Sequence, residues 1–549
     1  VPVTTARELA DDLFTLVLTS DPLMATLIGV PGWDDRLPDP SAEAEAGAAR
    51  RAAELATRAA EGDDDPITRA VVAQQAAGTV AKLGARLVEH THAEGFNAPV
   101  PLLLTSLSMV RPASGQGELD YLARLRAVPG YLEALATRQL DSDRRPLAHL
   151  VDAAVTRLDR HLADPSGPLR VPPLSAGPAA ERERLITELV DPALARYRDV
   201  LRERVAPRGR SADEPGLCWL ADGERHYAGL VAAYTTTERT ARELHEVGLG
   251  LVAELDREYE EIGARVFGPL PGADARERAA GVRARLLADP ELRWTDGAQM
   301  VELARRVLAR AELAAGDWFG SVPAKRCAVA TVPDDEAPNA PLAYYVDPAV
   351  DGSRPGTYFV NTHRAAERNR VSAEAVAFHE GVPGHHFQIS LAQELTDLPP
   401  LRRFAAFEAY LEGWGLYAER LADEMGLYSG DLARLGMLSA DSLRAARLVV
   451  DTGMHALGWT RERAVEYLRA STAAPEADVQ AEVDRYIEAP AQALSYMVGR
   501  LEIQRLRGVA SDRLGAAFDI RAFHDLVLRG GPLPLGVLAD VVDRWCGSA

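Results

Sequence analysis

Helical periodicity runs through almost the whole of this 549-residue chain and gives way in only one stretch. Apolar residues recur at three-and-four spacing over 5–19, 42–61, 67–88, 119–140 and 181–205, on otherwise charged surfaces. The same spacing returns in a helix that begins near Thr235-Thr236-Thr237 and runs to Glu261, then over 273–287 and 296–319. From Ser372 onward it fills 372–395, 404–425, 429–453, 460–470, 474–487, 492–507 and 512–527. Such stripes must be buried against one another, so the chain is mostly α. Only 327–332, 343–346 and 357–361 are short and β-branched or aromatic, with Pro and Gly between them. These are read as two or three strands, a small insert at about 325–362. Tyr358, Val360 and Asn361 are expected on an edge strand, open to an extended peptide backbone.

Charge removes several function classes. Lys and Arg number 61 against 81 Asp and Glu, a net charge of −20, which disfavours a broad nucleic-acid or anionic-lipid surface. No membrane partner is expected, since no long uncharged apolar run occurs. The opening Val1-Pro2-Val3-Thr4 carries no basic and apolar leader, so a cytoplasmic location is the default expectation. Cys218, Cys327 and Cys546 are scattered, so any metal would be held by histidines and carboxylates. Phosphate loops, nucleophile elbows and dinucleotide fingerprints are absent from the sequence. Nothing in it fixes an oligomeric state.

The chemistry concentrates in His379-Glu380-Gly381-Val382-Pro383-Gly384-His385-His386. Ser372 followed by Glu374 can start a helix that delivers His379 and Glu380 at its far end. A histidine pair with a glutamate after the first is the zinc-hydrolase arrangement, but there the histidines are four residues apart. Here the second histidine follows by six or seven residues, a rise of roughly 9 to 10 Å in an unbroken helix. Ligand bonds of about 2 Å cannot span that, so Pro383 and Gly384 must break the helix and fold the rings together. The third ligand should be a carboxylate on a neighbouring helix. Glu412 stands out there because Gly413-Trp414-Gly415 permits close approach, while Glu408 and Glu419 can accept from ligand N–H groups as outer-shell partners.

HEGVPGHHFQ, YLEGWGLYAERL, RLVVDTGMHALGW and YIEAPAQALSYMVGR together resemble DUF885, a bacterial family of unknown function. In arrangement that family is similar to the helical M3, M32 and angiotensin-converting-enzyme-like metallopeptidases. The opening region with Asp21-Pro22, the 234–248 stretch and Tyr358-Phe359-Val360-Asn361-Thr362 fit as well. By this resemblance His379 is the first zinc ligand, Glu380 the general base and Glu412 the third ligand. His386 is the preferred second ligand and His385 the alternative, the other of the two facing substrate. The resemblance makes His455 and Tyr496 donors to a tetrahedral oxyanion. Asn361, Gln492 and Arg500 complete the expected substrate contacts, Arg500 through a bidentate bond to a carboxylate.

The expected architecture is a large zincin-like helical fold with a deep central cleft and the small sheet insert. Residues 1–215 would form part of that cleft and 216–549 the metal-site region, as one continuous composite fold. The expected activity is zinc-dependent hydrolysis, one ion per chain, of short peptides or small acyl-amino-acid conjugates; the donor types leave manganese and iron open. The alternatives are a non-hydrolytic metalloenzyme modifying a small molecule, and a binding protein with a vestigial metal site.

Overall fold

Thr5 and Thr240 start helices by the same device. Each hydroxyl accepts from the backbone N–H three residues on, and the glutamate there, Glu8 or Glu243, accepts in return from the threonine's own N–H. The second helix, Ala241–Phe267, therefore begins after the threonine run, whose first member instead closes the helix Gly223–Thr235. The structure is a computed structural model and describes residues 4–94, 97–112, 115–333, 337, 340–349, 352 and 354–548. It is mostly helical with one small three-stranded sheet.

The chain forms two compact units. One comprises residues 1–233, 454–463 and 482–490. In it the helices Ala6–Ser20, Ala42–Ala59 and Pro66–Gly84 pack on one another. A second group of helices, Gly115–Asp141, Ala148–Ala163 and Asp191–Val200, shares a core of Leu125, Leu135, Val151, Ile186 and Leu194. Each such leucine taken fully out of water stabilises the fold by about 1.5–3 kcal/mol.

The other unit comprises 234–453, 464–481 and 491–549. Its sheet has the order β1 (Ala328–Thr331), β3 (Thr357–Val360), β2 (Ala343–Val346). β3 runs parallel to β1 and antiparallel to β2, with Tyr345 opposite Tyr358. The expected edge strand is therefore the central one, and both of its hydrogen-bonding edges are already paired. Five helices carry the residues considered below: the first histidine helix Ala373–Glu380, the second histidine helix His385–Glu394, the glutamate helix Glu408–Glu424, the arginine helix Asp431–Leu457, whose residues from 454 on belong to the first unit, and the tyrosine helix Ser495–Leu514. The glutamate and tyrosine helices pack closely, and a Cβ at Gly413 would overlap the backbone of Gly499.

Candidate metal centre

The helix carrying His379 stops at Glu380, turns through residues 381–384 and restarts at His385. Ser372 makes no side-chain cap bond. Glu374 instead ties down that end of the helix, accepting from the Ser429 N–H at 3.0 Å and from Arg310 Nη2 at 3.1 Å. Gly384 is required by close approach, since a Cβ there would overlap the carbonyls of Phe378 and His379. Buried Trp414 fixes the break from the glutamate helix, its indole N–H donating to the Pro383 carbonyl at 2.8 Å. Folded this way, the His379 and His385 rings stand edge to face with centroids 4.7 Å apart, about half their separation along an unbroken helix.

Glu412 closes a triangle with them. Its Oε2 lies 3.4 Å from His379 Nε2 and 3.4 Å from His385 Nε2, and one ligand atom from each of the three residues falls within 4.8 Å of the others. Two donors about 2 Å from a tetrahedral zinc are themselves roughly 3.3 Å apart, so the spacing suits such an ion. Gly415 makes room for the first ring: a Cβ there would stand 2.7 Å from His379 Cε1. Behind that ring, Glu419 accepts from His379 Nδ1 at 2.8 Å, which orients the imidazole and leaves Nε2 toward Glu412. His385 Nδ1 is buried with no partner among the described residues. So are both amide atoms of Gln388, one helical turn on. Sequence reasoning passed over Gln388; its place three residues after a candidate ligand is the signal that could have found it.

The electrostatics favour positive charge at this point. Burial alone would lower the His379 pKa, but hydrogen bonds to Glu412 and Glu419 outweigh it and carry the ring to about 10. Burial likewise opposes ionisation of Glu412, yet the two histidines hold its carboxyl well below the ordinary range. Glu380 runs the other way: burial raises its pKa against the pull of His379 and His385. A carboxyl whose charge is disfavoured, next to a cation site, can take up and return a proton.

The remaining expected residues are distributed differently. His386 does not join the triangle. Its Nε2–H donates to the Lys325 carbonyl at 3.0 Å, so Nδ1 must accept, and the Tyr345 hydroxyl stands 3.0 Å from it. With both nitrogens engaged, that ring presents no lone pair to an ion, and the structure gathers His385 instead. His455 lies in the other unit, where Nδ1 accepts from the Leu217 N–H at 3.0 Å, Nε2 donates to the Tyr486 carbonyl at 2.9 Å, and the ring stacks on Tyr227. Neither nitrogen is left for an oxyanion. Asn361 is a loop brace: its amide nitrogen donates to the carbonyls of Ala337, Ala340 and Pro341, and its oxygen accepts from the His363 N–H. Arg500 donates to buried Asp441 at 2.7 Å, and Asp441 also receives Arg420, so its charge is already paired. Glu408 opens the glutamate helix one turn before Glu412, and Gln492 opens the short 3-10 turn that leads into the tyrosine helix. Tyr496 lies under two guanidinium groups, those of Arg444 at 5.7 Å and Arg447 at 4.6 Å from its ring centre.

Comparison with known proteins places the chain. The family described as "Bacterial protein of unknown function (DUF885)" matches residues 22–542, and the chain belongs to it. No curated protein matches. A crystal structure of a candidate lipoprotein from Colwellia psychrerythraea is similar at 25% identity, with 99% of this chain and 100% of that one aligned and a TM-score of 0.90. A candidate lipoprotein of unknown function from Shewanella oneidensis shares the fold at 16% identity, with coverage of 98% and 99% and a TM-score of 0.74. The likeness to the Colwellia protein, a candidate lipoprotein, overturns the cytoplasmic expectation. Among the described residues no helix is long and apolar enough to cross a membrane.

Proposed function

We propose that this DUF885 protein is a metal-dependent hydrolase of small amides, with His379, His385 and Glu412 as ligands of one zinc ion. The observation that carries the reading is the 3.4 Å spacing of Glu412 Oε2 from both Nε2 atoms, combined with the Glu419 bond behind His379. Two histidines and a glutamate are a donor set suited to zinc with a coordination position open. The ion, when bound, supplies Lewis acidity toward a carbonyl and toward water.

The chain's own residues supply the rest. Glu380, whose carboxyl resists ionisation, takes the proton of the attacking water as its oxygen joins the acyl carbon. The carbon–nitrogen bond then breaks, and the same carboxyl returns the proton to the departing nitrogen. Glu419 keeps the His379 ring in one tautomer throughout. The His385 and Glu412 side chains retain 13% and 22% of their exposure, which favours small substrates such as short peptides and acyl-amino acids over folded chains. By likeness to the Colwellia candidate lipoprotein, it works as a lipoprotein.

The test is metal analysis of protein purified without added metal, followed by turnover of short peptides and acyl amides. About one zinc per chain, with Glu380→Gln keeping the ion and losing at least about 10²-fold in kcat, is the expected result. Metal-free protein that titrated zinc fails to stabilise would overturn the reading, and full turnover in Glu380→Gln would remove that carboxyl from the mechanism.

A further inference from the structure

The arginines near the tyrosine helix fall into two kinds. Arg420 binds Glu258 at 2.8 Å and also meets Asp441, and Arg500 binds Asp441 at 2.7 Å, so both cations have carboxylate partners. Arg444, one turn after Asp441 on the arginine helix, has none among the described residues. Its one hydrogen bond is a long one, 3.4 Å from Nη1 to the Ala440 carbonyl of its own helix, and its buried Nε has no partner. The group stands 5.7 Å from the centre of the Tyr496 ring, over which Arg447 also lies at 4.6 Å. Two guanidinium groups share one aromatic ring.

The helices bring this place close to the triangle. Gly413, next to Glu412, abuts Gly499 and Arg500, and Tyr496 precedes Arg500 by four residues on the same helix. The Tyr496 Cα thus lies about one helical turn, ~5 Å along the axis, from Gly499, which meets the neighbour of Glu412. A half-buried guanidinium with unmet donors is costly in isolation and is relieved by a planar oxyanion that takes two of its N–H groups.

We propose that Arg444, lying over Tyr496, binds a free carboxylate of the substrate beside the amide presented to the metal centre. The substrate class is then N-acyl amino acids and short peptides cleaved close to their C-terminal carboxylate. The word cleaved rests on the hydrolase reading above; the carboxylate subsite itself is measurable without turnover.

The experiment is calorimetric binding of N-benzoylglycine and its uncharged amide to the metal-loaded full chain, in wild type, Arg444→Gln and Arg444→Lys, with metal content measured in each. The carboxylate should bind wild type roughly 10- to 100-fold more tightly than the amide, the range of a charged hydrogen-bonded pair. Arg444→Gln should erase that preference and Arg444→Lys keep part of it, at unchanged metal content. Equal binding of both probes to wild type, binding of neither, or a preference that survives in Arg444→Gln, as it would if the metal alone held the carboxylate, overturns the proposal. Protein that shows the Arg444-dependent preference and yet leaves N-benzoylglycine and short peptides intact keeps the subsite and defeats the hydrolase reading instead.

Discussion

His379 and His455 are both buried histidines with a polar partner near each ring nitrogen, yet their surroundings make opposite demands on the proton. His379 stands between two carboxylates, Glu412 and Glu419, and its pKa rises to about 10. His455 stands between a backbone N–H and a backbone carbonyl, and burial takes it down to about 4. Backbone dipoles of opposite sense fix one neutral tautomer and finish the ring's bonding. Carboxylates on both sides create a place that holds positive charge, and a metal ion can replace the proton there. Both histidines lie in stretches that carry the resemblance to the family, so that resemblance alone does not separate a ligand from a brace.

The sharpest way to break this contrast is to remove each ring. His379→Ala should take zinc from about one ion per chain to near none while the fold persists. His455→Ala should keep the ion and instead destabilise the chain by about 1–3 kcal/mol, because the Leu217 N–H is left buried without an acceptor. Metal analysis beside denaturant unfolding reads both. Loss of metal in His455→Ala would show that the braced histidine belongs to the centre after all.

A smaller effect should come from the carboxylate behind the ring. Glu419→Gln still accepts from His379 Nδ1 but carries no charge, so zinc affinity should fall about 10- to 100-fold. Chelator competition measures it. An unchanged affinity would mean that Glu419 is packing and that the charge on the other side of the ring suffices.

The smallest effect concerns pH. Burial holds His92 and His455 at about 4 and puts His90 well below its ordinary value, while it pushes Glu488 up to about 7. An unfolded chain takes up the histidine protons from about pH 6.5 downward, and in the folded chain His92 and His455 do not take theirs until about pH 4. Their contribution to stability is therefore complete above pH 6.5 and is lost as the pH falls toward 4. Glu488 has the reverse sign, gaining between pH 7 and 4.5, and offsets one of the three. Hydrogen exchange over 87–94 and 454–463, corrected for intrinsic rates, should lose protection as the pH drops from 7 to 5. His92→Leu should shrink that loss, and an undiminished loss would place the acid sensitivity elsewhere.

Much of this was legible in the residues. Periodicity located the helices, and the β-branched stretches located the strands, because both signals are local. The Pro-Gly break announced that His379 and a later histidine must be drawn together, and the glycines around Trp414 announced a helix near enough to supply Glu412. Which of His385 and His386 turns inward was not legible. It depends on the Lys325 carbonyl and the Tyr345 hydroxyl, which lie in distant segments and are brought to His386 only by the fold. The edge placement of 357–361 failed for a related reason: β3 pairs on both sides with strands that follow no sequential order. Arg500 looks like a free carboxylate binder in the sequence, where its partner Asp441 is 59 residues away.

The contact of Gly413 with Gly499 sets the distance between the glutamate and tyrosine helices by backbone against backbone. Side chains in an interface can trade volume, one growing as its neighbour shrinks, and their helices slide as sequences drift. Two bare backbones have nothing to trade. Glu412, one residue from that contact, is thereby insulated from drift in the rest of the interface, so its neighbours are free to diversify while the triangle keeps its size.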